Sequence, residues 1–179
     1  GDDPDAEHMR QAREQILAAG GAEKCNSFSK FFLAALGQIR FSALPSIPPE
    51  VIFLPHWSYF NIYKISSWSR AMLLALSVFM AHRPVRQIPQ ERGILELYRN
   101  PRRRHTLVAT QTDPHPFWTP FFIWLDRLVL KNVDRLGFTP WRKKALKRIE
   151  RWIVDHHEGS DGVGAIFPPM VYNLIIFKA

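Results

Sequence analysis

A chain of 179 residues is long enough for one domain with a sizeable core, and 46% hydrophobic with 13% aromatic residues excludes a disordered segment. A net charge of +8 leaves three readings open: nucleic acid, an anionic membrane surface, or a basic face turned to water. A single cysteine, Cys25, excludes an internal disulfide and a cysteine metal cluster, and fits a reducing compartment.

The first residues, GDDPDAEH, are acidic and polar and carry no signal-peptide pattern. There is no initiator Met, and the apolar run Val171 to Ala179 stops without a helix-ending signal, so the expectation is a piece of a longer protein. Asp3-Pro4 predicts a helix start, with Asp3 as N-cap and Met9, Ile16 and Leu17 on one face; Gly20-Gly21 ends it. A second helix is expected over Ser27 to Leu36, pairing with the first as a helical hairpin. Pro45, Pro48 and Pro49 enforce an extended connection, with a short helix at Pro49 to Phe53.

Trp57 to Ala81 is the most distinctive stretch. Its first half holds Trp57, Tyr59, Phe60, Tyr63 and Trp68; its second half reads as an apolar helix capped by Ser66 or Ser67 and closed by Pro84. An aromatic wall feeding a buried helix suits a packed core and equally a pocket for a large apolar ligand. Pro84 to Pro116 reads as a long irregular segment containing Arg102-Arg103-Arg104. Phe117 to Leu136 places five large apolar residues in a row at 121–125, then an amphipathic pattern with Leu128, Val129 and Leu136 inward. Such a stretch suits insertion into one leaflet of a membrane, with Trp118 and Trp124 at the interface, or a helix buried on all sides. The helix at Trp141 to His156 has a buried stripe of Ala145, Ile149, Trp152 and Ile153, and a basic outer face of Lys143, Lys144, Lys147, Arg148 and Arg151. A glycine loop follows, and Pro168-Pro169 starts a last apolar helix. No period-2 strand is visible. The fold class expected is all-α, antiparallel helix pairs forming part of an (α/α) barrel or toroid, with residues 1–179 as one partial domain.

Weak chemical motifs resolve to structural readings. His156-His157 point about 100° apart on a helix and do not share a face, so no metal site is expected. Gly159 to Gly164 follows a helix and lacks a Lys-Ser/Thr, so it reads as a turn and not a phosphate cradle. The basic runs match no nucleic-acid module. Asp2, Asp3 and Asp5 read as a helix start and not as a general acid.

From Ser27 onward a set of motifs resembles the squalene–hopene cyclases, class II triterpene cyclases. They are Pro48-Pro49-Glu50, Phe60-Asn61-Ile62-Tyr63, Ser67-Trp68-Ser69-Arg70-Ala71, Glu96-Leu97-Tyr98, Arg102-Arg103-Arg104 and the run from Asp161 to Pro169. The resemblance implies a helical barrel around a dry apolar cavity, a channel to the membrane, and no metal or organic cofactor. It implies that an acid in an Asp-x-Asp-Asp motif protonates squalene and that aromatic faces steady the carbocations, each by up to ~2 kcal/mol when desolvated. Onto this chain it carries substrate contact for Trp68, Phe28, Phe32, Ile166, Phe167 and Pro168, and a channel constriction at Ile65 and Leu73. It makes Phe117, Trp118, Phe121, Phe122, Trp124 and Leu125 the membrane-facing residues. Implied partners are squalene, a membrane lipid surface and a second copy in a homodimer, with no nucleic acid; the implied location is the cytoplasmic face of a bacterial inner membrane, peripheral and monotopic. Two departures stand out: Val163 where the family's glutamine–tryptophan motif has Trp, and Asn26 where an arginine is expected. No Asp-x-Asp-Asp occurs in residues 1–179, so the resemblance assigns no catalytic residue to this chain and puts the proton donor beyond Ala179. Two alternatives remain: a cyclase for oxidosqualene or a shorter polyprenyl chain, and a non-catalytic membrane-associated helical scaffold.

Overall fold

The computed structural model describes residues 3–59, 61–105, 118–126, 128, 136–137, 139–159 and 167–178. Among them every regular element is helical, as the sequence predicts: α1 Glu7–Ala18, α2 Ser27–Ala35, α3 Ser67–His82, α4 Trp118–Leu125, α5 Arg142–Gly159 and α6 Phe167–Lys178, joined by short 3-10 turns. The chain divides into two compact units, Gly1–Pro45 with Val85–Pro114, and Ser46–Pro84 with His115–Ala179.

The second unit is built on α3. Ser66 caps it by accepting the Ser69 N–H at 3.2 Å. At its other end Arg83 takes the left-handed conformation (φ 49°), and Pro84 forbids a further turn. Between them Leu74 to Met80 are all buried, so α3 is covered on every side. The one hydroxyl in that run, Ser77, is accommodated by donating to the Leu74 carbonyl at 2.7 Å. Ala71, Leu74 and Val78 meet Ala145, Ile149 and Ile153 of α5, with Ile52 and Ile62 completing the cluster. On α6, the Tyr172 ring meets Phe79 edge-on at 5.3 Å. Fully burying side chains such as Leu74 or Phe79 stabilises by about 1.5–3 kcal/mol each. Arg142 Nε donates to Glu50 Oε1 at 2.7 Å, tying the start of α5 to the Pro49–Phe53 turn.

The first unit is held differently. No residue of α1 is buried. The helix begins at Glu7 and not at Pro4: the Asp3 carboxylate accepts the N–H of Asp5 at 3.0 Å in a local turn ahead of the helix, and no side chain caps α1 itself. Nor does α1 close on α2 as the expected hairpin. It packs against the Leu95–Leu97 turn, and faces α2 across a cleft. With only Met9, Ile16 and Leu17 in a charged helix, there is too narrow an apolar stripe to form a full helix–helix seam. Side chains instead tie backbone segments together. Glu23 accepts the N–H groups of Asn100 at 2.7 Å and Arg99 at 3.2 Å. Gln38 accepts from Ile94 at 3.1 Å, and His105 Nδ1 accepts from Arg40 at 3.2 Å. Gly21, at φ +74°, lets the chain pass the Leu97 carbonyl at a distance where a Cβ would sit 3.0 Å away.

Candidate functional site

In the second unit a loop organised by Asn61 leads from the aromatic residues into α3. Asn61 is buried. Its amide donates to the His56 and Ser58 carbonyls at 3.0 and 2.9 Å, and its oxygen accepts from Tyr63 and Lys64 at 2.9 and 3.2 Å. One side chain thus satisfies four backbone groups, which is how an irregular loop stays fixed without strand or helix pairing. Arg70, from the first turn of α3, reaches back: Nε donates to the Ile62 carbonyl at 2.9 Å and Nη2 to that of Ile65 at 3.3 Å. Its guanidinium lies 5.1 Å from the centre of the Tyr63 ring, which in turn stacks on His56 at 4.7 Å. The consequence is an aromatic shelf of Tyr63 and His56 backed by Arg70. Trp57 and Tyr59 are exposed on the same loop, and Trp68, in the first turn of α3 that follows it, is 48% exposed despite its size.

The expected substrate-contact residues are distributed over both units. Trp68, Phe167 and Pro168 belong to the second; Phe167 is 71% exposed at the start of α6, and Pro168 is half-buried beside a buried Pro169. Phe28 and Phe32 belong to the first, half-buried and four residues apart on one face of α2. Phe32 lines a cavity of about 520 Å³ with Ile16, Ala19, Cys25, Leu33 and Ile94. Burial, opposed by the Lys30 ammonium, pushes the Cys25 thiol above its ordinary range and leaves it a neutral wall group. Ile166 and Val163 lie outside the described residues. Of the two residues expected at a channel constriction, Leu73 packs against the core cluster, whereas Ile65 is half-buried in the loop that Arg70 holds. Asn26, the departure from the expected arginine, has a structural task. It caps α2 by accepting the Ser29 N–H at 2.8 Å.

α4 leaves large apolar side chains exposed. Phe121 and Trp124 are 39% and 52% exposed and stack on each other at 6.2 Å. Asp126 just past the helix is buried and accepts the Ser46 N–H at 2.6 Å. Leu125 is half-buried. The expectations for Phe117, and for the side chains of Trp118, Phe122 and Val129, lie outside the described residues. Leu128 and Leu136 are exposed and not inward. Periodicity identifies an apolar face but not what that face meets. Among the described residues no helix is long and apolar enough to cross a membrane.

Neither Asn61 nor Arg70 was singled out by residue chemistry in the sequence. Both lie in the matched motifs, but their role as a loop frame depends on backbone carbonyls three to eight residues away, and no spacing rule reports those.

A family model described as the squalene-hopene cyclase N-terminal domain matches residues 1–179. The chain belongs to the squalene–hopene cyclase family. It is 36% identical over 179 residues to a squalene–hopene cyclase of Bradyrhizobium diazoefficiens, covering 100% of this chain and 27% of that protein. It is 35% identical over 181 residues to the squalene–hopene cyclase of Zymomonas mobilis, covering 100% and 26%. A dammaradiene synthase of Dryopteris crassirhizoma is 33% identical over 172 residues, 95% of this chain and 24% of that protein. The chain thus spans about a quarter of the length of these relatives. The match is to the family's N-terminal domain, and the helical architecture is that of the helical terpene cyclase fold.

Proposed function

We propose that this chain is the part of a squalene–hopene cyclase that supplies cavity wall, channel edge and membrane contact, while the proton donor comes from elsewhere in the protein. The whole enzyme then folds squalene in a dry cavity and protonates its terminal alkene. It lets the cation run through successive ring closures, and ends by proton loss or water capture to give hopene or hopanol. The observation that carries this is the match of all 179 residues to the squalene-hopene cyclase N-terminal domain. The half-exposed Trp68 fits it chemically. A carbocation needs stabilisation without a nucleophile, because a nucleophile would trap it, and an aromatic face at the start of a buried helix provides that. Trp68, Phe28, Phe32, Ile166, Phe167 and Pro168 are the wall residues on this reading, and Ile65 and Leu73 edge the channel. The exposed Phe121–Trp124 pair on α4 supports monotopic attachment to the cytoplasmic face of a bacterial inner membrane.

The dammaradiene synthase match supports a second reading, a related cyclase with a different product. Product analysis of the complete protein separates them. Incubated with squalene and with oxidosqualene, it is expected to convert squalene to hopene or hopanol. Turnover of oxidosqualene alone, or a different skeleton from squalene, contradicts the first reading.

A further inference from the structure

Beside the aromatic shelf, and sharing Tyr63 with it, the second unit has a cleft of about 460 Å³ between α5 and the Pro49–Phe53 turn. Lys144, Lys147, Arg148 and Arg151 ring it, against one carboxylate, Asp155. None of these four cations forms an ion pair with a described carboxylate; the pair on this side of the unit is Arg142 with Glu50, one turn earlier on α5. The cleft is not uniformly polar. Ile52, Phe53, Tyr63 and Trp152 also line it, and the Arg148 guanidinium lies 5.7 Å from the centre of the Phe53 ring. Four like charges gathered around one concavity repel each other, and nothing in the fold requires them there, since the buried stripe of α5 is Ala145, Ile149 and Ile153. The turn that floors the cleft is also linked to α4: Ser46, three residues before Pro49, donates to Asp126 at the end of α4.

We propose that this cleft binds the phosphate headgroup of an anionic phospholipid, the cations taking the phosphate and the aliphatic and aromatic floor taking the start of an acyl chain. The apolar lining is what selects a lipid over a free phosphate, which would gain nothing from Ile52 or Phe53. The inference rests on the membrane-contact reading of α4 and adds a lipid preference to it.

The test is co-sedimentation of the complete protein with vesicles of phosphatidylcholine alone and of phosphatidylcholine mixed with phosphatidylglycerol. The wild type is expected to bind the mixed vesicles more tightly. Each neutralised cation inside the cleft, held next to the phosphate, is expected to weaken binding about fivefold, so K147Q with R151Q should lose about 25-fold on mixed vesicles while binding to phosphatidylcholine alone stays unchanged. The charge-keeping pair K147R with R151K should retain the preference, which separates loss of the site from loss of the fold. Lys143, exposed on the same helix but outside the cleft, is the control for diffuse charge, and K143Q should change binding much less than the pair. An equal loss per charge from K143Q overturns the proposal. So does wild-type binding that ignores phosphatidylglycerol, or calorimetric binding of inorganic pyrophosphate that K147Q with R151Q abolishes while vesicle binding is untouched. Failure to bind any vesicle instead removes the membrane-contact reading itself, and this proposal with it.

Discussion

The two units of this chain solve the same problem with different chemistry. In the second, Leu74 and Phe79 of α3 are enclosed, and α3, α5 and the Pro49–Phe53 turn share one apolar cluster. In the first, α1 buries nothing, and the segments around α2 are joined by Glu23, Gln38 and His105 accepting backbone N–H groups from distant parts of the chain. Burial raises the Glu23 carboxyl, but the Asn100 and Arg99 N–H groups outweigh it and hold the group below the usual carboxylate range. The difference teaches where tolerance lies. The second unit should respond to lost volume, and the first to lost backbone geometry and to altered protonation.

The largest expected effect is in the second unit. In the complete protein, Leu74→Ala leaves a cavity at a fully buried position and is expected to cost about 2–5 kcal/mol, read as faster amide hydrogen exchange along α3. A loss below about 1 kcal/mol would mean that α3 is not the packed centre.

The next effect belongs to the first unit and to alkaline pH. Tyr98 is 6% exposed, and its hydroxyl has no hydrogen-bond partner among the described residues. Burial, with the negative charge of Cys25 adding to it once that thiol ionises, pushes its phenol up to about 12 from an ordinary 10.0. The folded chain therefore holds the proton more tightly than the unfolded one. That contribution, up to about 3 kcal/mol, is fully present below pH 10 and is lost as pH rises towards 12. Tyr98→Phe should remove this alkaline loss and be neutral or stabilising at pH 7, because the orphaned hydroxyl goes with it. An unchanged alkaline unfolding midpoint contradicts the assignment.

Smaller again is Gly21→Ala, expected to cost about 1–3 kcal/mol through strain at positive φ and the close Leu97 carbonyl. It should loosen the segment 94–100 and leave α3 protection intact. If α3 loosens equally, the two units do not respond separately.

The sequence gives away what repeats locally. Ser66 and Pro84 bound α3, the stripe of Ala145, Ile149 and Ile153 orders α5, and the basic face of α5 follows from the same period. It is silent where a side chain is used at long range or in competition. Asp3 has two possible uses and takes the turn, not the cap. Asn26 looks like a lost arginine and is a helix cap. Asn61 and Arg70 frame the shelf through carbonyls that carry no sequence signature. Leu128 and Leu136 show the reverse limit, since a correct apolar pattern does not name the surface it will meet.

The central claim is that Trp68, exposed at the start of α3, is a wall for cationic intermediates. Product analysis of the complete enzyme carrying Trp68→Ala, beside Trp68→Phe, tests it most directly. The account predicts that Ala lowers squalene turnover about tenfold or more and releases incompletely cyclised products, while Phe restores much of the profile, consistent with about 2 kcal/mol from one desolvated aromatic face. An unchanged rate and product pattern for Trp68→Ala would contradict it.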